Sequence, residues 1–110
     1  MWYPDTNEFY IIQYLWMIKS FKHKGIKELF VEGRTNKINL SHQTRVRKLL
    51  AMIHAAHNIR DLDNNPGLRL HKLKKPPYNG YWSLDVIGNF RIIFRFSDGN
   101  ATDLNYLDTH

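Results

Sequence analysis

The 110 residues contain no cysteine. Disulfide staples, thiolate zinc sites and a cysteine nucleophile are therefore excluded, and a reducing compartment is compatible with the chain. Acidic residues are scarce: Asp and Glu number 10 against 16 for Lys and Arg, a formal net charge of +6. Asp5 and Glu8 have no basic counterpart among the first sixteen residues, which leaves +8 on residues 17–110. An excess of that size draws polyanions, nucleic acid first among them. Long apolar runs are missing too. The longest, residues 9–18, is broken by Gln13 and falls far short of the roughly 20 residues of a membrane span. No basic n-region or small-residue cleavage site marks a secretory leader. No membrane partner is expected, and the expected location is cytoplasmic. Repeats and low-complexity tracts are absent. With 43% hydrophobic and 14% aromatic residues, the chain has the composition of a globular domain and the length of a single one.

Met17-Ile18-Lys19-Ser20-Phe21 reads as a short first strand. Residues 1–16 differ from it in charge and texture. They read as an N-terminal extension that is not native or comes from a mis-assigned start; a genuine extension that lengthens the strand or packs as an aromatic tail is the alternative. Ile26, Leu29 and Phe30 recur at helical spacing, and Gly33 is the expected stop. After a polar connection over residues 34–40, a longer helix is expected over residues 41–58, capped by Ser41. Val46, Leu49, Leu50 and Ile53 form its apolar stripe, with Arg45 and Lys48 on another face. Residues 60–63 add a helical turn before the break at Asn64-Asn65-Pro66-Gly67.

The period then changes from helical to two. Residues 68–73 are a candidate strand with an end or bulge near Lys72, followed by a loop at Pro76-Pro77. Trp82, Leu84 and Val86 alternate with Tyr81, Ser83 and Asp85. Gly88-Asn89 turns the chain, and Phe90, Ile92, Phe94 and Phe96 alternate with Arg91, Ile93 and Arg95. Asp98-Gly99 is a hairpin signal, and Leu104 and Tyr106 mark the last strand. The expected architecture is α+β: an N-terminal strand, two helices, then an antiparallel meander of three to four strands with the helices on one face.

The same alternation places Arg91 and Arg95 on the face away from the helices, with Asp85 and Asn105 beside them. Two guanidiniums there suit a phosphate cradle. Cross-strand ion pairs with Asp85 or Asp103 on a solvated face are the other reading. Residues 69–75 gather Arg69, Lys72, Lys74 and Lys75 around His71. A histidine serves as general acid or base and a lysine as a fixed positive charge; an edge strand protected by lysines gives the same pattern. Asp108 and His110 at the end form either an acid–base pair or a frayed tail. The six histidines include no H-x-x-x-H pair, so neither a metal site nor a cofactor is expected.

Five segments in order resemble HigB toxins of the RelE superfamily, from bacterial toxin–antitoxin systems. They are residues 17–30, residues 66–74 (Pro-Gly-Leu-Arg-Leu-His-Lys-Leu-Lys), Gly80-Tyr81-Trp82-Ser83, residues 89–94 (Asn-Phe-Arg-Ile-Ile-Phe) and Tyr106-Leu107-Asp108-Thr109-His110. The resemblance covers residues 17–110, the expected toxin domain, and implies a compact RelE-like α+β fold. It implies a ribosome-dependent endoribonuclease that cuts mRNA in the decoding site of the 70S ribosome and so stops translation. It implies a HigA-like helix-turn-helix antitoxin as partner, with DNA reached only through that antitoxin. The family's functional residues fall on His71, Lys74, Arg91, Asp108 and His110. Arg69, Lys72, Lys75, Arg95, Arg45 and Lys48 are the expected RNA contacts. The chain departs from the family at Thr109, where a tyrosine is usual and where a threonine cannot stack on a base, and in a Pro76-Pro77 loop one residue longer. The implied chemistry is metal-independent attack by the substrate's own 2′-hydroxyl, with His71 and His110 as base and acid in unassigned order. A basic module that blocks RNA or the ribosome without cutting is the competing expectation.

Overall fold

The computed structural model describes residues 17–109. The assignment of residues 1–16 to an extension, and the part expected of His110, lie outside the described residues. Helix α1 spans Lys24–Glu32. His23 caps it: its Nδ1 accepts hydrogen bonds from the amides of Gly25 and Ile26 at 3.0 and 3.3 Å. Burial holds the His23 pKa below the ordinary histidine value, which keeps this nitrogen an acceptor. Gly33 ends the helix at φ +82°, a left-handed conformation natural to glycine, and its amide bonds back to the Leu29 carbonyl.

Helix α2 spans Leu40–Ala55. Its cap is Asn39, whose Oδ1 accepts from the Ser41 amide at 3.0 Å, and Ser41, the expected cap, lies inside the first turn. The expected end at residue 58 is also too late. Ala56 is extended, and the Asp61 carboxylate takes the amides of His57 and Asn58 at 2.8 and 3.3 Å. Those two donors serve the start of the next helix and cannot continue α2. Helix α3, Arg60–Asp63, leads to a single 3₁₀ turn at Pro66–Leu68.

That turn corrects the strand expected over residues 68–73. Leu68 is buried in it, and Arg69 adopts a left-handed backbone at φ +52°. Strand β1 is therefore only His71–Lys72. Strands β2 (Trp82–Asp85), β3 (Phe90–Ser97) and β4 (Asn100–Asp108) complete a sheet in the order β1-β2-β3-β4, antiparallel throughout. The β3–β4 hairpin turns at Asp98 and Gly99, both left-handed, as a two-residue hairpin turn requires. Ahead of α1 the chain runs parallel to β4 through bridges at Ile18–Ala101 and Phe21–Leu104. The expected first strand is present only as these two bridges. A bulge sets Asp103 and Leu104 together opposite Phe94; Asp103 takes φ +57°, and Leu104 turns into the core.

Helices α1 and α2 cover one face of the sheet. Ile26, Leu29, Val46, Leu49, Leu50 and Ile53 are buried against Leu84, Ile92, Phe94 and Leu104. Each such side chain removed from water contributes about 1.5–3 kcal/mol, so the helices settle on this face. The residues between point to the other face, where Ser83 and Ile93 are buried and Arg95 is exposed.

Candidate active site on the open sheet face

Strand register places the functional side chains in rows. Asp85, Arg91 and Leu107 lie opposite one another, and His71, Ser83, Ile93 and Asn105 form the next row. Strands about 4.8 Å apart and two residues of rise separate His71 from Arg91 by about 12 Å between Cα atoms.

Asp85 joins the rows. Its Oδ2 lies 2.8 Å from Arg69 Nε and its Oδ1 lies 3.0 Å from Arg91 Nε. No N–H is aimed along the line to the buried Oδ1, so the Arg91 contact is Coulombic rather than a directional hydrogen bond. Arg91 is oriented by its other end: Nη1 donates to the carbonyls of Gly88 at 2.7 Å and Phe90 at 2.9 Å. On the helix side, Arg45 donates to the Asp85 carbonyl at 3.0 Å and to Gly67 O at 3.0 Å, steadying β2 beneath the carboxylate.

The left-handed turn at Arg69 also sets the histidine. His71 Nδ1 lies 3.0 Å from the Arg69 carbonyl. A carbonyl oxygen only accepts, so this geometry assigns the hydrogen to Nδ1. The neutral ring then carries its lone pair on Nε2, the nitrogen of a general base.

The C-terminal end of β4 is tied to the same turn that holds Arg91. Thr109 donates both its amide, at 2.9 Å, and its hydroxyl, at 2.8 Å, to the Asn89 carbonyl. Asp108 is in register with Phe90 and so shares the helix-facing side rather than the row of Arg91. Phe90 stacks on Tyr106 at 5.1 Å, and the Tyr106 hydroxyl meets His42 Nδ1. Burial first, and the charge of Asp108 second, push the Tyr106 phenol above its ordinary pKa.

The expected site residues separate into groups. Arg69 and Arg91 come together at Asp85, and His71 is tied to the backbone carbonyl of Arg69. Lys74 and Lys75 are exposed in the loop after β1. Lys72 points to the other side of β1, its Nζ 5.4 Å from the centre of the Trp82 ring, because neighbouring residues on a strand face opposite ways. Arg45 has three contacts to carbonyls on the helix side, and Lys48 is exposed on α2. Arg91 and Arg95 do not form one cradle. They stand four residues, about 13 Å, apart on β3, each beside its own carboxylate, with Arg95 Nε 3.7 Å from Asp103 Oδ2. The cross-strand ion-pair reading describes this face. Sequence reasoning missed the carbonyls of Gly88 and Asn89, because backbone acceptors leave no signature in side-chain pattern.

A sequence model of the family described as the RelE-like toxin of the type II toxin–antitoxin system HigB matches residues 19–110. The chain belongs to the HigB family of RelE-like toxins. It is 45% identical over 94 residues to the Endoribonuclease HigB of Proteus vulgaris, covering 86% of this chain and 100% of that relative. The HigB match runs through every element of the sheet and both long helices. Among the described residues of this HigB-family chain, no helix is long and apolar enough to cross a membrane. No three histidine or acidic side chains among them are grouped to hold a metal ion.

Proposed function

We propose that the domain of residues 17–110 is an endoribonuclease toxin that cuts mRNA on the translating 70S ribosome, with its active site on the open face of the sheet. The observation that carries this reading is the Arg69–Asp85–Arg91 cluster beside a histidine whose Nε2 is left as an acceptor. Phosphodiester cleavage by an internal nucleophile needs a base, an acid and positive charge at the phosphoryl oxygens. The substrate's 2′ oxygen bonds to the adjacent phosphorus while its proton passes to His71 Nε2. The P–O5′ bond breaks, and the leaving 5′ oxygen takes a proton from His110. The products are a 2′,3′-cyclic phosphate and a 5′-hydroxyl. Arg91 and Lys74 stabilise the charge that builds on the phosphoryl oxygens. Exposed Arg69 and Lys75 extend the positive surface along the RNA. The ribosome supplies substrate positioning that the shallow face does not. A HigA-like antitoxin neutralises the toxin in the cytoplasm, and DNA is met only through that partner.

The family relation and the name of the curated relative support this reading. The competing blocker, which occupies RNA or the ribosome and cuts nothing, draws on Thr109, whose hydroxyl is bound to Asn89 and offers no ring for a base. Mapping mRNA 5′ ends after induction separates the two. The nuclease generates new internal ends; a blocker stalls ribosomes and generates none.

A further inference from the structure

We propose that Arg95 is a stacking shelf for one unpaired base of the RNA substrate, at the end of the open face remote from Arg91; the proposal rests on the nuclease reading above. The Arg95 guanidinium carbon lies 4.6 Å from the centre of the Tyr81 ring. Tyr81 is itself fixed. Its hydroxyl accepts from Lys22 Nζ at 3.0 Å, its ring meets Tyr78 edge-on at 5.8 Å, and only 3% of it is exposed. The hydrogen bond to Tyr81 is also the main reason the Lys22 ammonium is held above its ordinary pKa. A base cannot reach this buried ring, but it can reach what rests on it. The Arg95 side chain is 52% exposed, so one side of the guanidinium packs on tyrosine and the rest faces solvent.

Asp103 restrains that guanidinium from the flank at 3.7 Å. It is held in turn by Ser20, whose hydroxyl lies 3.5 Å from its carboxylate and accepts from its amide at 2.8 Å. A planar, weakly hydrated cation is a partner that splayed RNA bases use for stacking. An aromatic ring beneath the cation orders it and leaves its outer side for a base. The shelf and Arg91 share strand β3 and one face, about 13 Å apart, so RNA running along the strand from the cleaved bond crosses it.

The test compares Arg95→Lys, which keeps the charge and loses the plane, with Arg95→Gln, which loses the charge. For cleavage of a translated mRNA, Arg95→Lys is expected to raise KM about ten-fold at unchanged kcat. It is also expected to flatten the base preference at one nucleotide near the cut. Ribosomes programmed with short mRNAs carrying an abasic nucleotide at each position in turn, bound by non-cleaving His71→Ala protein, give a second readout. At one position the abasic substitution is expected to weaken binding, and adding Arg95→Lys then weakens it no further. Wild-type KM for Arg95→Lys beside a raised KM for Arg95→Gln identifies a phosphate contact and overturns the shelf, as does wild-type behaviour of both. The nuclease reading fails separately, through a folded Arg91→Ala protein that cuts mRNA normally.

Discussion

Replacing Asp85 with asparagine keeps the shape of the side chain and removes the charge that joins Arg69 to Arg91. The expected cost follows from exposure. Arg69 is 76% exposed, so its pair contributes at most about 1 kcal/mol. Arg91 and Asp85 are 22% and 23% exposed, between that surface value and the roughly 3–5 kcal/mol lost when one partner of a buried pair is removed. Arg91 keeps its bonds to the Gly88 and Phe90 carbonyls, which lowers the loss to about 1–2 kcal/mol. For a domain near 100 residues that is a fall in Tm of roughly 5–12 °C. Activity falls further than stability. With only Nη1 anchored, the guanidinium drifts from the position where phosphoryl charge develops, and displacements on the order of 1 Å cost up to about 10²-fold. The prediction for Asp85→Asn is an mRNA cleavage kcat about 10- to 100-fold lower with KM little changed. Calorimetry and cleavage of a translated message measure the two effects. A protein with wild-type melting and wild-type kcat refutes the role assigned to this carboxylate.

Thr109→Val removes one of two donors to the Asn89 carbonyl; cleavage is expected to fall several-fold at a cost of about 1 kcal/mol, with Thr109→Ser restoring it, and equal rates for all three proteins would disprove the clamp. Leu49→Ala empties a fully buried site on α2 and is expected to cost about 2–5 kcal/mol in urea unfolding, whereas a loss under 1 kcal/mol contradicts the core described. His23 and His54 both have lowered pKa values, His23 by burial, His54 by burial first and the charge of Lys19 second. Because the unfolded chain binds those protons more readily, their contribution to stability is complete above about pH 6.5 and is lost as pH falls through the lowered folded values. Melting temperature measured across that range is expected to drop on the acid side, and a flat profile removes the His23 cap from the account.

Much of the fold is visible in side-chain spacing because burial follows period. The stripe Val46, Leu49, Leu50 and Ile53 and the alternation Phe90, Ile92, Phe94 mark which faces meet, and those residues do meet. The boundaries are less visible because they depend on single polar groups. Asn39, two positions before Ser41, takes the cap, and Asp61 ends α2 from beyond its terminus. The short β1 strand was hidden by Arg69, since an arginine gives no sign that it will adopt a left-handed backbone. For the site, alternation alone placed Arg91, Arg95 and Asp85 on one face, but not which acid each arginine takes.

The central claim is that the open-face guanidinium at position 91 stabilises phosphoryl transfer. The direct test is the rate of mRNA cleavage by Arg91→Ala protein shown by circular dichroism to be folded. The account predicts a rate at least about 10²-fold below wild type, with the new internal 5′ ends disappearing. Wild-type cleavage at wild-type sites would contradict it and move the chemistry off this face.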